Sequence, residues 1–209
     1  MKLLQIDSLT RGNHCFLSPE DDCYYFMSCY GQEPVDNSIE KSFIYNLKKK
    51  PSSAEQRGYH HKNRVINEAA RIVRTGLIQK LKAPDSVCII PVPPSKIEGH
   101  PDYDDRLLRV LTGANEDNTT LICPVLKCIE SIVASHESKK NRPTIAQLEA
   151  NLTFDNALVD NVRPNIILFD DVLTTGAHFI ACKEFLKRKF PHANIVGVFI
   201  ARWDFAEIV

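Results

Sequence analysis

One run constrains this chain more than any other: Ile166-Ile-Leu-Phe-Asp-Asp-Val-Leu-Thr-Thr-Gly-Ala177. Its apolar start predicts a buried strand. Two adjacent carboxylates follow at the strand's C-terminal end, then a short loop of two threonines and a glycine. A helix comes next, with Phe179, Cys182 and Leu186 on one apolar face and Lys187, Arg188 and Lys189 at the end where cations favour the dipole. Strand, polar loop and helix in that order commit the chain to a sheet whose crossovers are helical.

Three further runs repeat the strand pattern: Val87–Val92, Leu121–Leu126 and Asn194–Ile200. Each is short and continuously apolar, as expected where both sheet faces are covered, although Pro91 and Pro124 interrupt the first two. Between them Val65, Ala69, Val73 and Leu77 recur every four residues, with Ile66 and Ile78 beside them and Pro84 as a stop. The expectation is an α/β chain with a doubly wound parallel sheet. In such sheets ligands sit beyond the carboxyl ends of the strands, at a switch in strand order. Composition shifts near residue 84: before it come the aromatic-rich stretch CYYFMSCY (residues 23–30) and a basic, polar segment from Lys48 to Lys62. A small N-terminal subdomain over residues 1–60 and a core domain over 61–209 are expected.

The residue types after the third core strand suit a phosphorylated sugar. The loop and first helical turn leave backbone N–H groups without helical partners, which favour a dianionic phosphate. Thr174 and Thr175 add hydroxyl donors, and Gly176 permits close backbone approach. Asp170 and Asp171 repel phosphate but can accept hydrogen bonds from neighbouring sugar hydroxyls. Acids for a diol beside amides for a phosphate describe a ribose 5-phosphate reader. Paired acids at a strand end also serve as helix caps or as a receiver-like magnesium site. The whole run, rather than the acid pair, favours the sugar phosphate.

The rest of the chain excludes several classes. Hydrophobic residues at 44% and charged residues at 25% describe an ordinary globular chain. Lys plus Arg equals Asp plus Glu at 26 each, so the basic excess of direct nucleic-acid binders is missing. The N-terminus lacks the long apolar core of a signal peptide, and no apolar stretch is long enough to span a membrane, so a cytoplasmic protein is expected. Seven scattered cysteines, an odd number, read as free thiols, with Cys88, Cys123 and Cys182 as small core residues. Neither G-x-x-x-x-G-K-[ST] nor G-x-G-x-x-G follows any strand, which weakens kinase and dinucleotide readings.

At Asp170–Ala177 the chain resembles the type I phosphoribosyltransferases, and more widely their competence protein F (ComF-like) branch. Ile89-Ile-Pro-Val-Pro-Pro-Ser95 resembles that branch's Pro-Val-Pro loop. Asn141-Arg-Pro-Thr-Ile-Ala-Gln147 resembles its Thr/Gln segment, and Ile200-Ala-Arg202 the close of its last strand. Weaker similarity reaches back to Phe43-Ile-Tyr-Asn-Leu-Lys48, so the match spans roughly residues 40–203.

The resemblance implies a type I phosphoribosyltransferase-like sheet binding 5-phosphoribosyl-1-pyrophosphate (PRPP) with Mg2+, and transfer to an unidentified nitrogenous base or amine. Asp170 and Asp171 would hold the ribose 2′ and 3′ hydroxyls. Val172 and Leu173 continue the PRPP loop, and Leu173, Thr174, Thr175, Gly176 and Ala177 would wrap the 5′-phosphate. Pro93, Pro94, Ser95 and Lys96 would form the pyrophosphate loop. Lys139, Lys140 and Arg142 fall where the family has its mobile loop, and Lys139 and Arg142 join the two aspartates as implied catalytic residues. Magnesium would bridge pyrophosphate and ribose oxygens, with no direct protein ligand expected. A homodimer is allowed.

Two departures matter. The branch's N-terminal zinc ribbon is replaced by His14, Cys15, Cys23 and Cys29, whose spacing is poor for zinc. Its Arg-Gly-Phe-Asn-Gln run becomes Asp102-Tyr-Asp-Asp-Arg106, putting acids at the substrate side. A non-catalytic PRPP or nucleotide sensor, or a ComF-like role beside DNA-uptake machinery, therefore stands as the alternative.

Overall fold

The computed structural model describes residues 1–30, 38–132 and 143–204. Its centre is a mixed sheet of six strands, β1 (Leu4–Gln5), β2 (Cys23–Tyr30), β3 (Val87–Pro91), β4 (Leu121–Ile122), β7 (Asn165–Leu173) and β8 (Asn194–Asp204). They lie in the order β1-β2-β8-β7-β3-β4. All neighbours run parallel except β1, which pairs antiparallel with β2. The expected wholly parallel sheet is thus corrected to a mostly parallel one with an antiparallel edge. A residue or two of hairpin partner at an edge is a common way to close off unpaired backbone.

The sequence runs place β3, β7 and β8 correctly but miss their extents. β7 continues through Asp170 and Asp171 to Leu173, and β8 through Arg202 to Asp204, because each pairs the other that far: Asp170 lies against Phe199 and Leu173 against Arg202. The run at Leu121–Leu126 is no single strand. β4 stops at Ile122 before Cys123-Pro124, where Pro lacks an N–H for the ladder. The chain then forms a separate two-stranded antiparallel sheet from β5 (Leu126–Cys128) and β6 (Leu152–Phe154). Phe154 stacks on Phe185 at 4.6 Å and so packs this hairpin onto the helix of residues 177–189.

The longest unforeseen strand is β2. Residues 23–30 pair with β8 over nearly their whole length, from Cys23 against Gly197 to Tyr30 against Asp204. Aromatic and apolar residues suit a sheet covered on both sides, and Cys23, Tyr25, Phe26, Met27 and Cys29 are all buried. At Gly197 an added Cβ would come within 2.9 Å of Cys23 Sγ and of the Phe179 and Phe199 rings, so this close strand pairing needs glycine.

The helices are α1 (Ile39–Leu47), α2 (His61–Gly76), α3 (Arg106–Ala114), α4 (Ile145–Ala150) and α5 (Ala177–Lys189). α2 buries Val65, Ile66, Ala69 and Val73, the predicted stripe. α5 buries Phe179, Cys182 and Leu186, also as predicted, and Phe179 meets Phe199 of β8 edge-on at 6.1 Å. Cys88, Cys123 and Cys182 are core residues, and every cysteine is a free thiol. Among the described residues no helix is long and apolar enough to cross a membrane.

Strand order decides where a ligand can sit. From β3 the chain crosses through α3 to β4 on one side; from β7 it crosses through α5 to β8 on the other. The direction of winding reverses between β3 and β7, which are direct neighbours. In sheets of this kind the loops leaving two such strands diverge and ligands bind between them, which points to the C-terminal ends of β3 and β7.

Candidate functional site

Two of the segments singled out from the sequence meet at these strand ends. Pro91 lies opposite Phe169 in the β3–β7 register, and Val92 donates its N–H to the Phe169 carbonyl at 2.9 Å. Pro93–Lys96 therefore leave one strand end beside Asp170 and Asp171 in the other. Ser95 accepts the Ile132 N–H at 2.9 Å, and Lys96 Nζ donates to the Ile132 carbonyl at 2.9 Å. Pro93, Ser95 and His178 also line a small cavity of about 30 Å³ together with Cys128 and Leu148. Lys139, Lys140 and Arg142 lie outside the described residues. Beyond that segment Thr144 caps α4, with Gln147 returning the bond in a capping box.

Consecutive residues of a strand project to opposite faces, so the two aspartates do not share an environment. Asp171 is buried and bound on both oxygens. Arg106 donates from Nε at 2.9 Å and Nη2 at 2.6 Å to Oδ2, while Lys48 Nζ stands 2.9 Å from Oδ1. Burial alone would raise its pKa, but Lys48 and Arg106 outweigh desolvation and hold it well below the usual carboxylate range. Asp170 has the opposite fate. Burial and the neighbouring Asp171 charge push its carboxyl up to about 7, and its Oδ1 accepts the Asp171 N–H at 2.7 Å.

A carboxylate offers about four acceptor positions. Three on Asp171 are taken by these donors, whereas Asp170 spends one. Asp170 is the acid with capacity left for a ligand.

Behind Asp171 the ion pairs continue. Arg106 Nη1 reaches Asp104 Oδ2 at 2.7 Å, and Lys62 Nζ meets the same oxygen at 2.7 Å. Lys62 is 1% exposed and also donates to the carbonyls of Leu47 and Lys49 at 3.0 and 2.6 Å. Burial lowers its pKa against the pull of Asp104. Of the acids in the 102–106 run, Asp104 thus faces inward as the hub between α2 and α3. Asp105 stays exposed.

The loop from β7 to α5 carries Thr174 exposed, Thr175 half-buried and Gly176 buried. Gly176 sits at φ +91°, in the left-handed region, and an added Cβ would fall 2.9 Å from Leu17 Cδ2. Both constraints select glycine. The N-terminal residues close against this loop: His14 Nδ1 hydrogen-bonds the Thr174 carbonyl, and the Phe16 N–H meets the Thr175 carbonyl at 3.0 Å. His14 is fully buried. Burial lowers its pKa, a tendency opposed by the Thr174 carbonyl and reinforced by nearby Arg202. His178, on the first turn of α5, is also kept neutral by burial, with Asp171 pulling the other way.

Of the four zinc candidates, His14 is engaged with Thr174, Cys15 is exposed, and Cys23 and Cys29 are buried in β2. Among the described residues no group of three His, Cys, Asp or Glu is placed to hold a metal ion. Trp203 is half-buried in β8, with Lys41 Nζ 5.8 Å from its ring centre.

No family model matches the chain, and no curated protein matches it. The function is therefore argued from the site.

Three site residues, Lys48, Arg106 and His14, carry roles that sequence reasoning missed. Their partners are far away in the chain, Asp171 for Arg106 at 65 residues and Thr174 for His14 at 160. Lys62 did leave a signal. It lies three and four residues before Val65 and Ile66, which makes it a lysine on the buried stripe of α2 rather than part of a solvated basic segment.

Proposed function

We propose that this chain is a PRPP-dependent phosphoribosyltransferase with a type I phosphoribosyltransferase-like sheet, transferring phosphoribosyl to a nitrogenous base or amine and releasing pyrophosphate. One observation carries the reading. At the switch between β3 and β7, a carboxylate with unspent acceptors, Asp170, stands near the C-terminal end of β7, on the strand that leads into a Thr-Thr-Gly turn and a helix N-terminus.

Asp170 accepts the ribose hydroxyls, while Asp171, engaged by Arg106 and Lys48 on the other face of the strand, holds the strand end in place. The amides and hydroxyls of Thr174, Thr175 and Gly176 take the 5′-phosphate. Pro93–Lys96, across the crevice, face the pyrophosphate, with Lys139 and Arg142 assigned to cover it. In the reaction the C1–O bond to pyrophosphate breaks with its electron pair leaving on pyrophosphate. A C1–N bond then forms to the acceptor, which loses its N–H proton. The protein's part is to position the groups and stabilise the departing charge. Magnesium would enter with the pyrophosphate of PRPP, with no direct protein ligand, and the Asp170 carboxylate would add negative charge near it. When bound it supplies positive charge to the pyrophosphate.

Incubating the protein with PRPP, magnesium and a panel of purine, pyrimidine and amine acceptors tests the proposal. Pyrophosphate release dependent on one acceptor class is expected, falling about a hundredfold or more in Asp170→Asn. Release that ignores Asp170→Asn would contradict the site. Binding of PRPP without release with any acceptor would make the chain a sensor instead of an enzyme.

A further inference from the structure

We infer that residues 13–21 form a strap that aims the amides of the phosphate loop, with His14 as its positioning residue. This rests on the phosphate-binding role proposed above and adds the element that sets the loop's affinity.

In a trans peptide the carbonyl of one residue and the N–H of the next point in opposite directions. Holding the Thr174 carbonyl therefore fixes the Thr175 N–H, and holding the Thr175 carbonyl fixes the Gly176 N–H. The strap takes both carbonyls, the first through His14 Nδ1 and the second through the Phe16 N–H at 3.0 Å. Two consecutive N–H groups are thereby turned away from the strap, as an anion-binding turn requires. Leu17 packs where a Gly176 side chain would stand and closes the underside of the turn.

The strap is itself anchored at both ends. Asn13 Nδ2 donates to Asp204 Oδ1 at 2.7 Å, at the end of β8. Asp204 is held in turn by Arg202 Nη2 at 2.6 Å, and Arg202 Nε reaches Ser28 of β2 at 3.1 Å. At the other end Asp21 accepts from Ser18 N and Oγ at 2.7 and 2.8 Å and pairs with Lys183 of α5 at 2.5 Å. The strap so bridges the last strand and the helix that the phosphate loop opens. His14 is fully buried, which holds its ring in place against the Thr174 carbonyl. Since Nδ1 meets a carbonyl, Nδ1 carries the proton.

The test compares ligands that differ in the 5′-phosphate. Titrations of wild type, His14→Ala and His14→Gln with PRPP, ribose 5-phosphate and magnesium pyrophosphate are followed beside thermal unfolding. His14→Ala is expected to weaken PRPP and ribose 5-phosphate about tenfold or more while leaving magnesium pyrophosphate within about twofold. His14→Gln, whose amide can still donate to Thr174, is expected to recover most of the loss. If His14→Ala does not fold, Phe16→Pro carries the same expectation, because it removes the N–H that holds the Thr175 carbonyl at a position whose side chain is exposed. Equal weakening of all three ligands, or no weakening of any, overturns the inference. Failure of the wild type to bind PRPP or ribose 5-phosphate overturns the underlying proposal instead, and is read separately from the variants.

Discussion

Replacing Asp171 by Asn is expected to destabilise the protein by about 3 kcal/mol at pH 7. Breaking a buried ion pair by removing one partner costs about 3–5 kcal/mol, and the partial exposure of Lys48 and Arg106 puts this case at the lower end. The two cations lose their shared counter-charge, and Arg106 keeps only Asp104. For a chain of this size the midpoint of thermal unfolding should fall by roughly 6–12 °C. The effect has a pH signature. Asp171 has a folded pKa below its ordinary value, so its stabilisation is full above about pH 4 and is lost as pH falls further. Urea unfolding at pH 7 and pH 3 measures it: the gap between variant and wild type should narrow in acid. A variant as stable as wild type at pH 7 would show that Lys48 and Arg106 do not depend on Asp171.

The neighbouring substitution is expected to act in the opposite direction. Asp170 is raised to about 7, so the native state keeps this proton to higher pH than the unfolded chain. Its contribution to stability therefore declines as pH rises from about 4 to about 7, and above that the full cost of an ionised, half-buried carboxylate is present. Asp170→Asn removes that cost and keeps a carbonyl oxygen for the Asp171 N–H. Allowing for the partial exposure of Asp170, the variant should be about 2 kcal/mol more stable than wild type at pH 8 and equal to it near pH 4. Stability would then rise while ligand binding is lost, the usual relation at a site kept strained for function. Denaturant midpoints at the two pH values decide it; a variant less stable at pH 8 would mean the carboxylate is held by donors stronger than its desolvation.

The contrast between the two acids explains what could be read in advance. The apolar runs at 87–92, 165–169 and 194–200 are local signals, and they became β3, β7 and β8. The acid pair and the Thr-Thr-Gly turn are also local, and the topology brings them to the switch point beside Pro93–Lys96. What was hidden is pairwise and distant. Residues 23–30 are aromatic and apolar enough for a strand, but only pairing with β8 makes them one. The unequal roles of Asp170 and Asp171 follow from Lys48 at the end of α1 and Arg106 at the start of α3, neither marked by spacing. The acidic run at 102–106 read as a change of substrate surface; in the fold Asp104 instead neutralises Lys62 and Arg106.

The most direct test is a calorimetric titration of the protein with PRPP and magnesium, beside folded Asp170→Asn. Binding at about 10 µM or tighter by the wild type, abolished in the variant, is the predicted result. A folded wild type that takes up no PRPP would contradict the account, and the crevice between β3 and β7 would then have to serve a ligand other than a phosphorylated ribose.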